Sequence, residues 1–404
     1  MNTEQVLIIL CGIVVISYLF SILSRKLRLP SVLLLLFLGI GARYVGDQYQ
    51  YKIDLPRVVV EGLGVVGLIM IVLEAGLDLK LERKKIRLIR SSFLSAFVIL
   101  IFSVTLITFL LRWWLGEPWI NSIVYALPLS IISSAIVIPS LHHLSAEKKE
   151  FLVYEASFSD IIGIILFNYF AAGEIMTWQS LGIFTGSIVV SVILSISFSV
   201  LLFLLMANTK LNIRFFLVFS LLILLYAAGK LLHLPSLLII LVFGLMIRNW
   251  EHVKLPPSLG TYSSHKVNEI QELLHAITAE SSFLIRTFFF ILFGYTIQLN
   301  AILDKDIATI GGLIVGALFL VRLVYLSLFL RANIFPELFY MPRGLITIVL
   351  FYKIPDALKL SSFNESILAF VILSTSLLMA IGGMFYRQKP EAMVEELLFD
   401  REEH

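Results

Sequence analysis

Two acids stand in an otherwise apolar stretch, YEASFSDIIGIILFNYF at residues 154–170: Glu155 and Asp160. The stretch suits a lipid bilayer, where an ionised carboxylate costs at least a few kcal/mol unless it has a partner or a wet cavity. Five residues apart on a helix, the two acids point about 140° from one another, which predicts separate tasks. Asp160 falls about 15 Å into its span, close to the bilayer midplane. A carboxylate in a half-dry cavity can hold either a proton or a hard monovalent cation (Na⁺, K⁺ or Li⁺) near neutral pH. Competition for one such site, opened alternately to the two membrane faces, is sufficient for exchange. Ser157, three residues before Asp160, shares its face and offers a second oxygen.

Other residues fit the same chemistry. Arg322, in DIATIGGLIVGALFLVRLVYLSLFL, lies near the depth of the two acids. A buried arginine needs a carboxylate. Glu155 is the expected partner, because pairing with Asp160 would handicap that aspartate as a proton carrier. Glu74, in IMIVLEAGLDLKLERKK, sits one to two turns from a basic run. It is expected either to line an inner vestibule or to snorkel to the interface. Ser134, in ISSAIVIPSL, joins Asp160, Ser157 and Glu74 as an oxygen available to a cation, and Arg343 in FYMPRGLITIVLFYKIP is a further intramembrane cation.

These residues need an all-α, polytopic membrane frame to hold them. The 404 residues are 59% hydrophobic and 15% charged, with a mean hydropathy of +0.96, against about 25% charged in soluble domains. Apolar runs predict thirteen spans: 5–24, 31–46, 57–78, 88–112, 119–141, 150–173, 179–206, 212–232, 235–250, 279–298, 306–330, 339–356 and 364–386. With the N-terminus outside, inner loops and the tail hold twenty Lys and Arg, and outer loops hold eight. That asymmetry predicts a cytoplasmic C-terminus in the cell (inner or plasma) membrane. No cleavable signal peptide is evident. The single Cys11 cannot form an internal disulfide, and the net charge of +3 is spread over loops, which gives no nucleic-acid footprint.

LPSVLLLLFLGIGAR (29–43) and LPSLLIILVFGLMIR (234–248) share seven of fifteen residues at an offset of 205, yet run in opposite directions through the membrane. Two inverted six-helix repeats, spans 1–6 and 8–13 joined by span 7, are expected, as in secondary transporters. Spans 5 and 12 correspond in the two repeats. The fifth contains Pro128, Ser133, Ser134 and Pro139, and the twelfth Pro342, Arg343, Gly344 and Pro355. Both are expected to be broken crossing helices, since irregular backbone at membrane depth survives only when buried or lining a cavity.

With these motifs the chain resembles the monovalent cation/proton antiporter superfamily, of the bacterial sodium (or potassium)/proton type, along nearly its whole length. EASFSD (155–160) is similar to that family's E-S-x-x-N-D signature, VLEAGLDL (72–79) to its F-E-G-x-L element, and FLIRTFFFILFG (283–294) to a further family segment. The resemblance implies Asp160 as cation and proton carrier, Glu155 with Arg322 as a structural ion pair, Glu74 at the vestibule and Arg343 as the broken-helix arginine. Departures are Ala156 and Ser159 within the signature, and ISSAIVIPSL, which resembles the branch of potassium efflux systems. One membrane carboxylate in place of two implies electroneutral exchange of one cation per proton.

The resemblance also implies a homodimer in lipid and a division into moving parts. Residues 1–112 would hold scaffold helices 1–3 and the start of the core, 113–178 core helices 5–6 with the ion site, and 179–206 a linker helix. Residues 207–300 would hold scaffold helices 8–10, 301–388 core helices 11–13, and 389–404 a short cytoplasmic tail. No cofactor or enzymatic activity is implied. A gated potassium efflux pathway and an inverted-repeat symporter for an organic anion remain as alternatives. Weaker signals are His142 and His143, expected to be solvated, and SHKVNEIQELLHAI (264–277), which reads as an amphipathic surface helix carrying His265 and His275.

Overall fold

The computed structural model describes residues 3–27, 29–49, 57–172, 177–208, 214–232, 234–250, 264–297, 304–329, 334–360 and 363–386. Among the described residues the regular structure is all helix. In chain order the α-helices are α1 Thr3–Leu27, α2 Ser31–Gln48, α3 Arg57–Asp78, α4 Ile86–Leu115, α5 Trp119–Ser130, α6 Ser134–Val137 and α7 Ala146–Ala171. They continue as α8 Trp178–Asn208, α9 Arg214–Leu231, α10 Ser236–Arg248, α11 Ser264–Thr296, α12 Lys305–Phe329, α13 Leu345–Tyr352 and α14 Glu365–Phe385. With α5 and α6 taken as one interrupted span, these fourteen helices match the thirteen expected spans. Among the described residues, seven segments are long and apolar enough to cross a membrane, by length and composition, and α1, α9 and α10 contribute shorter apolar stretches.

One expectation is corrected. SHKVNEIQELLHAI is not a separate surface helix; it forms the start of α11, which runs unbroken from Ser264 to Thr296. The reason is in the sequence: no glycine or proline lies between Ser264 and Gly294, so nothing stops the helix between the two segments. Of the basic residues that orient the chain, Arg28, Lys52, Lys210, Lys254, Arg331, Arg387, Lys389 and Arg401 lie outside the described residues, as do His252 and the tail after Tyr386.

The chain divides into two compact units, one of residues 1–55, 87–163 and 287–404, the other of residues 56–86 and 164–286. In the first, α12 packs on α14, α13 on α5 and α1 on α2. Ile99, Tyr325, Leu326 and Leu338 form a buried cluster there. Lipid is as apolar as leucine, so helices in a membrane associate mainly through close packing. α2 shows how close. A Cβ on Gly39 would strike the Ile291 carbonyl and lie 2.9 Å from Gly294 Cα, so only glycine allows the crossing with α11.

In the second unit α10 packs on α3, α8 and α9. A Cβ on Gly244 would lie 2.9 Å from the Leu73 carbonyl, and one on Gly76 2.8 Å from the Leu241 carbonyl. The Ser195 hydroxyl donates to Ile239 O at 2.7 Å, and the Asn249 amide donates to Leu79 O at 2.9 Å. Just past α3, Glu82 accepts from Lys80 at 3.0 Å, and this bond holds its carboxyl below the usual carboxylate range. The repeat is visible locally: α2 and α10 both begin directly after the paired prolines Pro30 and Pro235, and Gly39 and Gly244 each meet a second glycine.

Candidate ion-binding site

The fifth span breaks where its sequence says it must. Pro128 lacks an N–H and disturbs the preceding turn, α5 ends at Ser130, and Ile131 and Ser133 are extended before α6 begins at Ser134. The twelfth span breaks as well: a 3₁₀ turn over Glu337–Phe339 leads through an irregular segment to α13 at Leu345. The two irregular segments touch. Ser133 N–H donates to Pro342 O at 2.9 Å, and a Cβ on Gly344 would run into the Ser133 hydroxyl. Glycine at 344 is what permits that approach.

A helix that stops in the membrane leaves carbonyls without intrahelical partners. Arg343, 1% exposed, supplies them. Its Nε donates to Leu129 O at 2.8 Å, Nη2 to Ser130 O at 3.1 Å and Nη1 to Met341 O at 2.7 Å. Its own N–H donates to Thr375 Oγ1 at 3.0 Å. A cation at the C-terminal end of α5 also opposes the partial negative charge there.

Asp160 projects from α7 to the other side of the same break and is 2% exposed. Its Oδ2 accepts the Ser134 hydroxyl at 2.5 Å and the Ser134 N–H at 3.2 Å. Its Oδ1 is buried and has no hydrogen-bond partner among the described residues; the buried hydroxyls of Ser157, Ser133 and Thr347 share that condition. Buried polar atoms are ordinarily satisfied, so a carboxylate with one open oxygen is equipped to take up a proton or a cation.

Glu155 differs. Its Oε1 accepts the Ser95 hydroxyl at 2.5 Å and its Oε2 accepts from Arg322 Nη2 at 2.6 Å, with both ion-pair side chains essentially unexposed. Arg322 Nε donates to the backbone oxygen of Glu337 at 2.8 Å. The structure thus brings together Glu155 with Arg322, and Asp160 with Ser134. It does not join Arg322 to Asp160. Glu74 belongs to the second unit, where Arg286 Nη2 lies 3.2 Å from its Oε1. One turn on, Asp78 meets His275 at 2.8 Å.

Several residues were missed by sequence reasoning. Ser159, treated as a departure from a family signature, accepts the Ile132 N–H at 2.9 Å, serving one donor freed by the break. Ser95 gave no signal, being one of many serines in α4. His143, expected to be solvated, shares a 3.1 Å hydrogen bond with the Tyr340 hydroxyl.

The family model for the transmembrane sodium/hydrogen exchanger matches residues 12–385. Among solved structures, the sodium proton antiporter MjNhaP1 from Methanocaldococcus jannaschii at pH 8 is similar in fold. It has 19% identity and a TM-score of 0.66, over 95% of this chain and 98% of that one. An electron-microscopy structure of the same antiporter gives 18% identity and the same TM-score over 96% and 100%. No curated protein matches at the level of sequence.

Proposed function

Since the chain belongs to the sodium/hydrogen exchanger family, and is a cation/proton antiporter rather than an enzyme, we propose that Asp160 is the group its two ions share. The observation that carries this is the half-satisfied carboxylate: Oδ2 is held by Ser134 while Oδ1 is buried and unbonded. Alternating occupation of Asp160 by a proton and by sodium gives one cation per proton, an electroneutral exchange. Ser134 and Ser157 supply neutral oxygens, and Arg343 holds the broken span open without competing for the aspartate. Glu155 and Arg322 neutralise one another and keep α7 in place.

Spans 4–6 and 11–13 act as the moving core against a scaffold, within a homodimer in the lipid bilayer; the superfamily resemblance supports this division. The cation asymmetry of the loops supports an outside N-terminus and a cytoplasmic C-terminus. Glu74, paired with Arg286, serves the inner vestibule. Gated potassium efflux and organic-anion symport are disfavoured by the family match.

The test uses proteoliposomes with an imposed pH gradient, a pH-sensitive dye and clamped membrane potential. Sodium, potassium or lithium chloride is added to wild type and to Asp160→Asn. A cation-triggered collapse of the gradient in wild type only is expected. Collapse of equal rate in the variant would remove Asp160 from its assigned place.

A further inference from the structure

On the reading that Asp160 is the exchanging group, we infer that Lys148 and Glu337 are positioning residues for exchange: their ion pair fixes the register of α7 and so the place of Asp160 at the break. Lys148 Nζ lies 2.5 Å and 2.6 Å from the two carboxylate oxygens of Glu337 and donates to Phe335 O at 3.0 Å. The side chains are 21% and 11% exposed, so the pair is far less wet than an ordinary surface salt bridge. Neither residue bears on the charge balance of the buried acids, because Glu155 and Arg322 already neutralise one another.

What the pair adds is a second grip. Lys148 and Glu155 lie seven residues, about two turns, apart on α7 and therefore on one side of it. Lys148 holds the Glu337 side chain, while Glu155 holds Arg322, whose Nε donates to the Glu337 backbone oxygen. The links close a ring: α7, Lys148, Glu337, Arg322, Glu155 and back to α7. A helix fastened at one point can swivel or slide; one fastened at two points along its length cannot. Asp160 continues the same helix about one and a half turns beyond Glu155. Its bond to Ser134 demands placement within roughly half an ångström. The Glu337 turn also leads directly to Arg343, so one ring sets both charged groups of the break.

The experiment compares sodium-driven exchange in proteoliposomes for Lys148→Met, Glu337→Gln, Lys148→Arg and the swap Lys148→Glu with Glu337→Lys. Thermal unfolding in detergent is recorded for each. Both neutral variants are expected to raise the sodium concentration for half-maximal exchange at least about fivefold. The arginine variant and the swap are expected to return to within about twofold of wild type. Unchanged half-saturation in both neutral variants, whatever their melting temperatures, overturns the assignment, because a merely structural pair would move stability alone. If the neutral variants do not fold, the swap decides: wild-type half-saturation supports the ring, and a folded swap shifted fivefold or more overturns it. Asp160→Asn is run alongside. Exchange surviving in that variant would overturn the role of Asp160 itself, an outcome separable from any result at Lys148 and Glu337.

Discussion

Glu155 and Asp160 sit on one helix, five residues apart, equally hidden from solvent, and their surroundings make them different reagents. Glu155 has both oxygens engaged, one by a hydroxyl and one by a guanidinium. Asp160 has one oxygen engaged, by a single serine, and one left open. Among the described residues no full positive charge bonds to Asp160; Arg343, at the same break, spends its side-chain donors on carbonyls. Burial alone therefore does not distinguish the two acids. What separates them is incomplete satisfaction at Asp160, on the carboxylate that faces the break of the fifth span.

That contrast can be broken most severely at Asp160. Asp160→Asn is expected to abolish cation-coupled proton movement while leaving the melting temperature in detergent at or above that of wild type, since it removes a buried acid without stranding a partner. The opposite signature is expected at the ion pair. Glu155→Gln and Arg322→Met each strand a buried charge and should cost about 3–5 kcal/mol of stability. The double variant should recover part of that loss. Strictly additive losses in a thermal double-mutant cycle would refute the pairing.

A finer probe is Ser134→Ala. It removes the hydroxyl from Asp160 and leaves the backbone N–H. A hydrogen bond to a charged group contributes about 1.5–3 kcal/mol, so half-saturating cation should rise about tenfold or more, with the fold unchanged by circular dichroism. The smallest effect belongs to an acid in the wet loop. Glu82 has a lowered pKa through Lys80, so its contribution is complete above the ordinary carboxylate value of about 4.3 and is lost as pH falls through the lowered value. Glu82→Gln should cost under about 1 kcal/mol at neutral pH and nothing once the carboxyl is protonated. A melting curve at two pH values reads this directly.

Much of this arrangement was legible in the chain. Spans are written in runs of apolar residues, and the breaks in Pro128, Pro342 and Gly344, because backbone chemistry is local. The pairing of Glu155 with Arg322 followed from matched depth and from the cost of a lone buried charge. What was not legible depends on long-range proximity. Lys148 reads as one more inner-loop cation, yet α7 begins at Ala146 and makes it helical. Its partner Glu337 is 189 residues away. The acceptors of Arg343 are backbone carbonyls, which have no sequence signature. Ser159 and Ser95 look like ordinary small helix residues until the geometry gives each a donor or an acceptor to serve. The junction into α11 was misjudged because an amphipathic pattern gave way to an apolar one, and a change of surroundings was taken for a change of structure.

The two glycine-on-glycine crossings have a consequence for how such a chain can vary over generations. Lipid-facing leucines can be exchanged for other oily residues with little effect, so much of the sequence is free to drift. Gly39, Gly76, Gly244 and Gly294 carry no charge, bind no ion and touch no proton, yet a single added methyl at any of them meets backbone. The positions least open to change thus include four with no side chain at all.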